Sequence, residues 1–303
     1  MSSDTEEVNE EEPRCASCGV TQGDDTKLMK CTACHLVRYC SDECQKEHRP
    51  KHKRQCKKRV AESRDERLFR QPESSHLGDC PICCLPLSID LKKSFMYDCC
   101  SKAICNGCTL ANQLRAIEMR LRQSCPFCRE PVSKNDAEHD KQRMKRVEAN
   151  DPVAIRREGL NQKGEYTRSF EYLSKAADLG DVESHYKLAY LYQCGEGVEE
   201  DKGKEIYHLE KAAIGGHPDA RYELGVYEWD IKENAERAMK HWIIAATQGQ
   251  DESTKMLMAA FKKGYVEKAD LDSALRAHHA AVDATKSPQR EAADKYYGNN
   301  PDS

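Results

Sequence analysis

The sequence predicts a multidomain chain: two small zinc-stabilised fingers followed by an all-α solenoid of helical repeats. Three observations carry that prediction. Sixteen of the 17 cysteines precede residue 130. They fall into two arrays of closely spaced pairs, and pairs two residues apart can set two thiolates on one ion from a single tight turn. Beyond residue 150 a small-residue pattern, Ala-Ala-x2-Gly, recurs at spacings of 36 and 33 residues, the mark of a repeat architecture.

A length of 303 residues is consistent with two or more domains. The start, Met1 to Glu12, is acidic rather than basic and apolar, and no run approaches the roughly 18 apolar residues of a membrane span. These features predict a soluble intracellular protein, cytoplasmic or nuclear, with no membrane partner. Disulfides do not persist in a reducing compartment, so so many thiols there read as metal ligands. A net charge of -4 argues against wholesale coating of nucleic acid.

Residues 1–14 are expected to be an acidic disordered tail, with six acidic side chains and no basic one in the first 13 positions. Residues 15–56 hold the first array: Cys15-x2-Cys18, Cys31-x2-Cys34, Cys40-x3-Cys44 and His52-x3-Cys56. Eight ligands suffice for two tetrahedral ions. A four-residue spacing puts both members of each of the last two pairs on one face of a helix. Pro50 is expected to divide this stretch into two short helices. His48 competes with His52 for the ligand position; His52 is preferred because it shares an unbroken segment with Cys56.

The run Tyr39-Cys40-Ser41-Asp42-Glu43-Cys44-Gln45, followed by Pro50-Lys51-His52-Lys53-Arg54-Gln55-Cys56, resembles the MYND-type zinc finger. The resemblance implies interleaved ligation, with Cys15, Cys18, Cys40 and Cys44 on one ion and Cys31, Cys34, His52 and Cys56 on the other. Members of that family dock short proline-containing peptides near a glutamine and a tryptophan. Gln45 is retained here, whereas the tryptophan position corresponds to Arg49. Residues 57–79 read as a basic, charged linker, continuing a cluster that runs from Arg49 to Arg59.

The second array occupies residues 80–130: Cys80-x2-Cys83, the doublet Cys99-Cys100, Cys105-x2-Cys108 and Cys125-x2-Cys128. Three half-sites and a doublet again imply two ions, so the expected cofactor is about four Zn2+, two per finger. The order of half-sites resembles a RING-type finger, in which the two sites interleave as a cross-brace. The resemblance implies a first site of Cys80, Cys83, Cys105 and Cys108. The second site takes Cys125 and Cys128 with Cys99 and Cys100, or with one of those replaced by Cys84 or His76. Where the family has a histidine three residues before the fifth ligand, this chain has Lys102. The resemblance further implies that Ile82, Pro126 and Arg129 contact a ubiquitin-conjugating enzyme, Arg129 as the bridging donor to enzyme and ubiquitin. Thr109 to Gln123 reads as an amphipathic helix with Leu110, Leu114, Ile117 and Leu121 on one stripe.

Residues 131–150 are expected to be a charged linker or exposed helix. Residues 151–285 carry the repeats: Lys175-Ala176-Ala177-x2-Gly180, Lys211-Ala212-Ala213-x2-Gly216 and Ile244-Ala245-Ala246-x2-Gly249. Each alanine pair ends a helix and each glycine caps it. With Tyr186, Leu188, Tyr190, Leu191, Tyr222, Leu224 and Tyr227 between them, these residues resemble Sel-one-like repeats, relatives of tetratricopeptide repeats, in four units. Trp229 and Trp242 are expected in the core, and His185, His208, His217 and His241 as ordinary helix histidines. Residues 286–303 read as a disordered tail.

Within the repeats the sequence shows no paired nucleophile and base, phosphate loop or dinucleotide fingerprint. Two functions follow: a RING-type ubiquitin ligase whose repeats and first finger bind a protein substrate or scaffold, or a non-enzymatic zinc-finger adaptor. Nucleic acid is not an expected partner.

Overall fold

A computed structural model describes residues 12–23, 27–133, 135–162 and 164–299. Most of the expected acidic tail, residues 1–11, lies outside them. The chain divides into two compact units, residues 1–70 and 71–303.

In the first unit a minimal antiparallel pair, β1 (Met29–Lys30) and β2 (Arg38–Tyr39), precedes helix α1 (Asp42–Leu68). Ser41 caps α1 by accepting the Cys44 amide, and Asp42 and Glu43 sit favourably against the helix dipole in its first turn. The core is small: Cys15, Leu28, Cys31, Cys34 and Tyr39 are buried together. The expected break at Pro50 does not occur. α1 runs unbroken for 27 residues with Pro50 inside it, so the presumed linker is helical to Leu68. A proline at that position forfeits one helix hydrogen bond and costs about 3 kcal/mol. Cys44 on one side of Pro50 and His52 and Cys56 on the other are all held in side-chain clusters, which offsets that cost.

The second unit begins with an irregular segment of bends and turns, residues 71–79, bound to the repeats. The His76 amide donates to the Gly216 carbonyl at 3.1 Å, and Gln71 Nε2 donates to Thr247 Oγ1 at 2.7 Å. The antiparallel strands β3 (Ser94–Tyr97) and β4 (Lys102–Cys105) then pair Ser94 with Cys105 and Tyr97 with Lys102. Helix α2 (Asn106–Glu118) follows directly. It stops five residues short of the expected helix, at a left-handed Arg120. Only Leu110 of the expected apolar stripe is buried, while Leu114, Ile117 and Leu121 face solvent.

Of the two alternatives expected for residues 131–150 the chain takes the helix: α3 (Asp136–Glu148) packs on α4 through buried Arg143 and Val147, with Arg143 paired to Glu158 at 2.9 Å. Four helix pairs make the solenoid: α4 (Pro152–Asn161) and α5 (Tyr166–Asp178), α6 (Val182–Cys194) and α7 (Lys202–Ile214), α8 (Pro218–Asp230) and α9 (Ala235–Thr247), α10 (Asp251–Lys262) and α11 (Lys268–Ala284). Ala176, Ala212 and Ala245 are fully buried where helices cross. Gly180, Gly216 and Gly249 adopt φ between 85° and 90° just beyond α5, α7 and α9, a conformation that favours glycine. Trp242 is fully buried in the core of the last two pairs, with Trp229 packed against it.

The segment expected to be a disordered tail instead forms helix α12 (Pro288–Asn299), which packs on α2. Gln289 donates to the Gly107 carbonyl and Tyr297 to Gln113. Its anchor is a buried arginine, Arg290, which satisfies three backbone carbonyls at once, those of Leu85, Pro86 and Thr285. Such contacts are invisible to local composition.

Candidate metal centres

One backbone device sets up most of the closely spaced cysteine pairs. In four of the five CxxC pairs the residue after the second cysteine is left-handed: Gly19, His35, Cys84 and Arg129 have φ of 80°, 54°, 55° and 64°, whereas Cys105 caps α2 and Cys108 lies in its first turn. The amide of the left-handed residue donates back to the carbonyl of the first cysteine at 2.9–3.0 Å. Four residues are thereby wound into a knuckle, with both sulfurs on one side. The doublet uses the same device: Ser101 has φ 54° and its amide donates to the Tyr97 carbonyl at 2.8 Å. Cys100 thus takes the second position of a knuckle that begins at Tyr97, and Cys99 supplies the further sulfur.

Four tetrads result, each with ligand atoms within 4.8 Å of one another: Cys15, Cys18, Cys40 and Cys44; Cys31, Cys34, His52 and Cys56; Cys80, Cys83, Cys105 and Cys108; Cys99, Cys100, Cys125 and Cys128. A tetrahedral zinc with bonds of about 2.3 Å to sulfur has sulfur–sulfur edges of about 3.8 Å. The separations are 3.5 Å for Cys18–Cys40 and Cys40–Cys44, 3.9 Å for Cys31–Cys56, 3.8 Å for Cys83–Cys105 and Cys100–Cys125, and 3.3 Å for Cys99–Cys128. All exceed a disulfide bond by more than 1 Å, so the donor sets fit zinc in size and chemistry.

The thiol electrostatics point the same way. Burial opposes ionisation of Cys15 and Cys31, but backbone amides, chiefly of Cys18 and Cys40 for the first and Cys34 and Ala33 for the second, draw both down to about 6. Interaction with Cys18 and Cys44 pushes Cys40 up to about 12, and burial beside Cys34 and Cys31 pushes Cys56 up to about 11. Several thiolates cannot crowd together unaided, and a dication removes the conflict.

The alternative ligands fall elsewhere. His52 Nε2 lies 3.2 Å from Cys34 Sγ, whereas His48 Nδ1 lies 3.1 Å from the Tyr39 hydroxyl. Cys84 is exposed on the knuckle turn, and Lys102 lies in β4, opposite Tyr97. His76 joins a different cluster, in which the Nε2 atoms of His76 and His217 lie 3.2 and 3.1 Å from Glu183 Oε2. Those rings are stacked, with centroids 4.2 Å apart and planes 7° from parallel, so one ion cannot lie in both ring planes. His217 Nδ1 also accepts the Ala220 amide as the cap of α8, which leaves the proton on Nε2. The cluster is a hydrogen-bonded clasp between residues 71–79 and the repeats. Burial opposes the Glu183 charge, but donors from His217 and His76 hold it far below the usual carboxylate range.

Of the residues expected to meet a conjugating enzyme, Ile82 is 42% exposed, Arg129 is exposed and Pro126 is half-buried. Asn112 Nδ2 donates to the Ser124 carbonyl, tying α2 to the last knuckle. Sequence reasoning missed Arg290, whose Nη2 lies 3.3 Å from Cys83 Sγ, and Glu183; neither stands in any motif.

The MYND finger family matches residues 15–56, and the Sel1 repeat family matches residues 156–181, 182–217 and 218–250. Neither match covers residues 80–130. The chain is similar to Protein SHC1 of Saccharomyces cerevisiae, 42% identical over 62 residues, which are 20% of this chain and 12% of that protein. DAP3-binding cell death enhancer 1 of Mus musculus is 25% identical over 167 residues, 42% of this chain and 33% of that protein. The chain thus spans a third or less of the length of either relative. Among solved structures, a Sel1 repeat protein from Oxalobacter formigenes aligns over 58% of this chain and 74% of its own, at 22% identity and a TM-score of 0.43. Among the described residues no helix is long and apolar enough to cross a membrane. The chain is a zinc-finger and repeat protein, with a MYND finger at residues 15–56, Sel1 repeats over residues 156–250 and a second cysteine array between them.

Proposed function

We propose that the chain is a ubiquitin ligase of the RING type, in which the repeats hold a protein substrate and residues 80–130 recruit the conjugating enzyme. The observation that carries this reading is the interleaving of the second array. Cys80 and Cys83 share a cluster with Cys105 and Cys108, while Cys99 and Cys100 share one with Cys125 and Cys128. Ile82, on the first knuckle, and Arg129, after the last, are both exposed. Such a module supplies no nucleophile; it holds the thioester-linked ubiquitin in a reactive geometry while a substrate lysine attacks. On the repeats, a cavity of about 830 Å³ lined by Tyr166, Tyr186, Tyr190, Glu205 and Glu223 offers a site for the substrate.

The second reading is a non-enzymatic adaptor that joins proteins through its fingers and repeats. Lys102 in place of the family's histidine and Arg49 in place of its tryptophan favour it.

Ubiquitin discharge across a panel of conjugating enzymes decides between them. Ile82→Ala is expected to weaken enzyme binding, because lost apolar burial costs about 25 cal/mol per Å². Arg129→Ala is expected to leave binding nearly intact and slow transfer, since a bridging arginine acts on the reactive geometry. Zinc content stays unchanged in both. If the metallated chain discharges ubiquitin no faster than the conjugating enzymes alone, the adaptor reading replaces the ligase.

A further inference from the structure

The knuckle that carries Ile82 is closed at its base by two backbone bonds: the Cys80 amide donates to the Leu85 carbonyl and the Leu87 amide to the Gly78 carbonyl, both at 2.9 Å. Arg290 of α12 grips the returning arm of this loop. Its Nη2 donates to the Leu85 carbonyl at 3.0 Å and lies 3.3 Å from Cys83 Sγ, and its Nη1 donates to the Pro86 carbonyl at 2.6 Å. A planar guanidinium presents its donors in a fixed fork, so three acceptors held at once set both the position and the direction of the arm. Arg290 is 9% exposed, and water competes little for those carbonyls.

The same helix holds α2. Gln289 Nε2 donates to the Gly107 carbonyl and the Tyr297 hydroxyl to Gln113 Oε1, both at 3.1 Å. The two helices approach so closely at Gly107 that a Cβ there would lie 3.0 Å from the Arg290 amide nitrogen. From α2, Asn112 Nδ2 donates to the Ser124 carbonyl at 2.8 Å, just before the knuckle that carries Pro126 and Arg129. α12 is therefore bound to the first knuckle directly and to the last one through α2. The tetrads join these elements at sulfur atoms; the bonds from α12 add a hold on the backbone.

We propose that Arg290 is a positioning residue for the conjugating-enzyme surface, with α12 fixing the separation between Ile82 on the first knuckle and Pro126 and Arg129 on the last. This role rests on the ligase reading and gives the C-terminal helix a part in it. Arg290 is buried and acts only through the exposed residues that it places. A partner that engages both knuckles at once binds more tightly when their spacing is set beforehand, since less freedom is lost on binding. Loss of Arg290 therefore acts on affinity for the conjugating enzyme and leaves the rate of transfer from the bound enzyme nearly unchanged.

The test measures KM and kcat for discharge of a ubiquitin-charged conjugating enzyme by the full zinc-loaded chain. Arg290→Ala is expected to raise KM roughly fivefold or more and to change kcat less than about twofold. Arg290→Lys, which keeps the charge but not the fork, should fall between parent and Arg290→Ala. Asp294→Ala removes an exposed ion pair with Lys93 elsewhere on α12 and should stay within about twofold of the parent. Because Arg290 acts through the knuckle of Ile82, Ile82→Ala combined with Arg290→Ala should raise KM by less than the product of the single effects. Zinc content and helical signal check that each variant folds. Where Arg290→Ala does not, Arg290→Lys and Tyr297→Phe carry the test, each with KM raised about twofold or more and kcat unchanged. A fall in kcat at unchanged KM marks loss of active protein, a merely structural role, and overturns the proposal. So do single effects that multiply in the double variant, or an Asp294→Ala effect equal to that of Arg290→Ala. A parent chain that discharges no ubiquitin removes the ligase reading and this role with it; a parent that discharges it while Arg290→Ala keeps the parent's KM removes this role alone.

Discussion

Arg290 and Cys83 stand 207 positions apart in the chain, yet the guanidinium of one lies 3.3 Å from the sulfur of the other. Burial opposes ionisation of Cys83, but the Leu85 amide and the Arg290 guanidinium outweigh it and draw the thiol down to about 7. The C-terminal helix is thereby joined to a cysteine cluster near the middle of the chain. Charge-assisted bonds to a metal-ligating sulfur orient the ligand and offset its charge.

Arg290→Ala should therefore loosen α12 without removing metal. Lost hydrogen bonds of this kind cost about 2–4 kcal/mol in all, which converts to amide exchange roughly 30- to 1000-fold faster in α12 and around residues 83–87. Amides of α6 to α9 should keep their protection. Unchanged exchange in α12 would show that the helix is held by its packing on α2 alone.

Elemental analysis of the purified chain should give four zinc ions, one per tetrad. Each site contributes on the order of 10–16 kcal/mol, comparable to or above a small domain's whole stability, so a strong chelator should unfold residues 15–130. The helices α4 to α11 bury their own apolar faces and should keep most of their circular dichroism. Two ions or fewer would remove one array from this account, and near-complete loss of helical signal would contradict an independent repeat core.

Gly225 sits in the middle of α8, where alanine would ordinarily be better by about 1 kcal/mol. A Cβ there would lie 2.4 Å from Nε1 of the fully buried Trp242, whose Nε1–H donates to the Tyr222 carbonyl. Gly225→Ala is expected to destabilise the repeats by about 1–3 kcal/mol through overpacking. A rise in melting temperature would refute the close approach.

His185 Nδ1 and His208 Nδ1 are 2.9 Å apart, a distance that admits one proton between them. Burial lowers both, aided by Lys211 for His185 and by His185 for His208, which falls to about 4. Because both folded values lie below the ordinary 6.5 or so, the unfolded chain takes up more protons as pH falls. Repeat stability should be fully present above about pH 6.5 and decline toward pH 4. His217, lowered chiefly by burial, acts in the same direction. Melting temperatures from pH 7.5 to 4.5 should fall less steeply in His208→Leu than in the parent chain; equal slopes would show that the pair does not titrate across this range.

The cysteine and histidine clusters and the helical repeats were legible in the sequence because their signals are local. Two thiols three positions apart fall on one turn, and Ala-Ala-x2-Gly ends a helix wherever it stands. The tertiary structure decided what those signals leave open. Pro50 reads as a helix breaker, but its neighbours Cys44, His52 and Cys56 are held in tetrads on both sides, and α1 continues through it. Cys99 and Cys100 look too close to serve one site until the left-handed Ser101 winds the chain into a knuckle. His76, Glu183 and His217 converge from segments 107 and 34 residues apart. The polar residues of α12 advertise disorder, and its buried arginine, Arg290, has acceptors about two hundred positions away. Contacts between distant segments leave no periodicity in composition, and only the folded chain brings their donors and acceptors within reach.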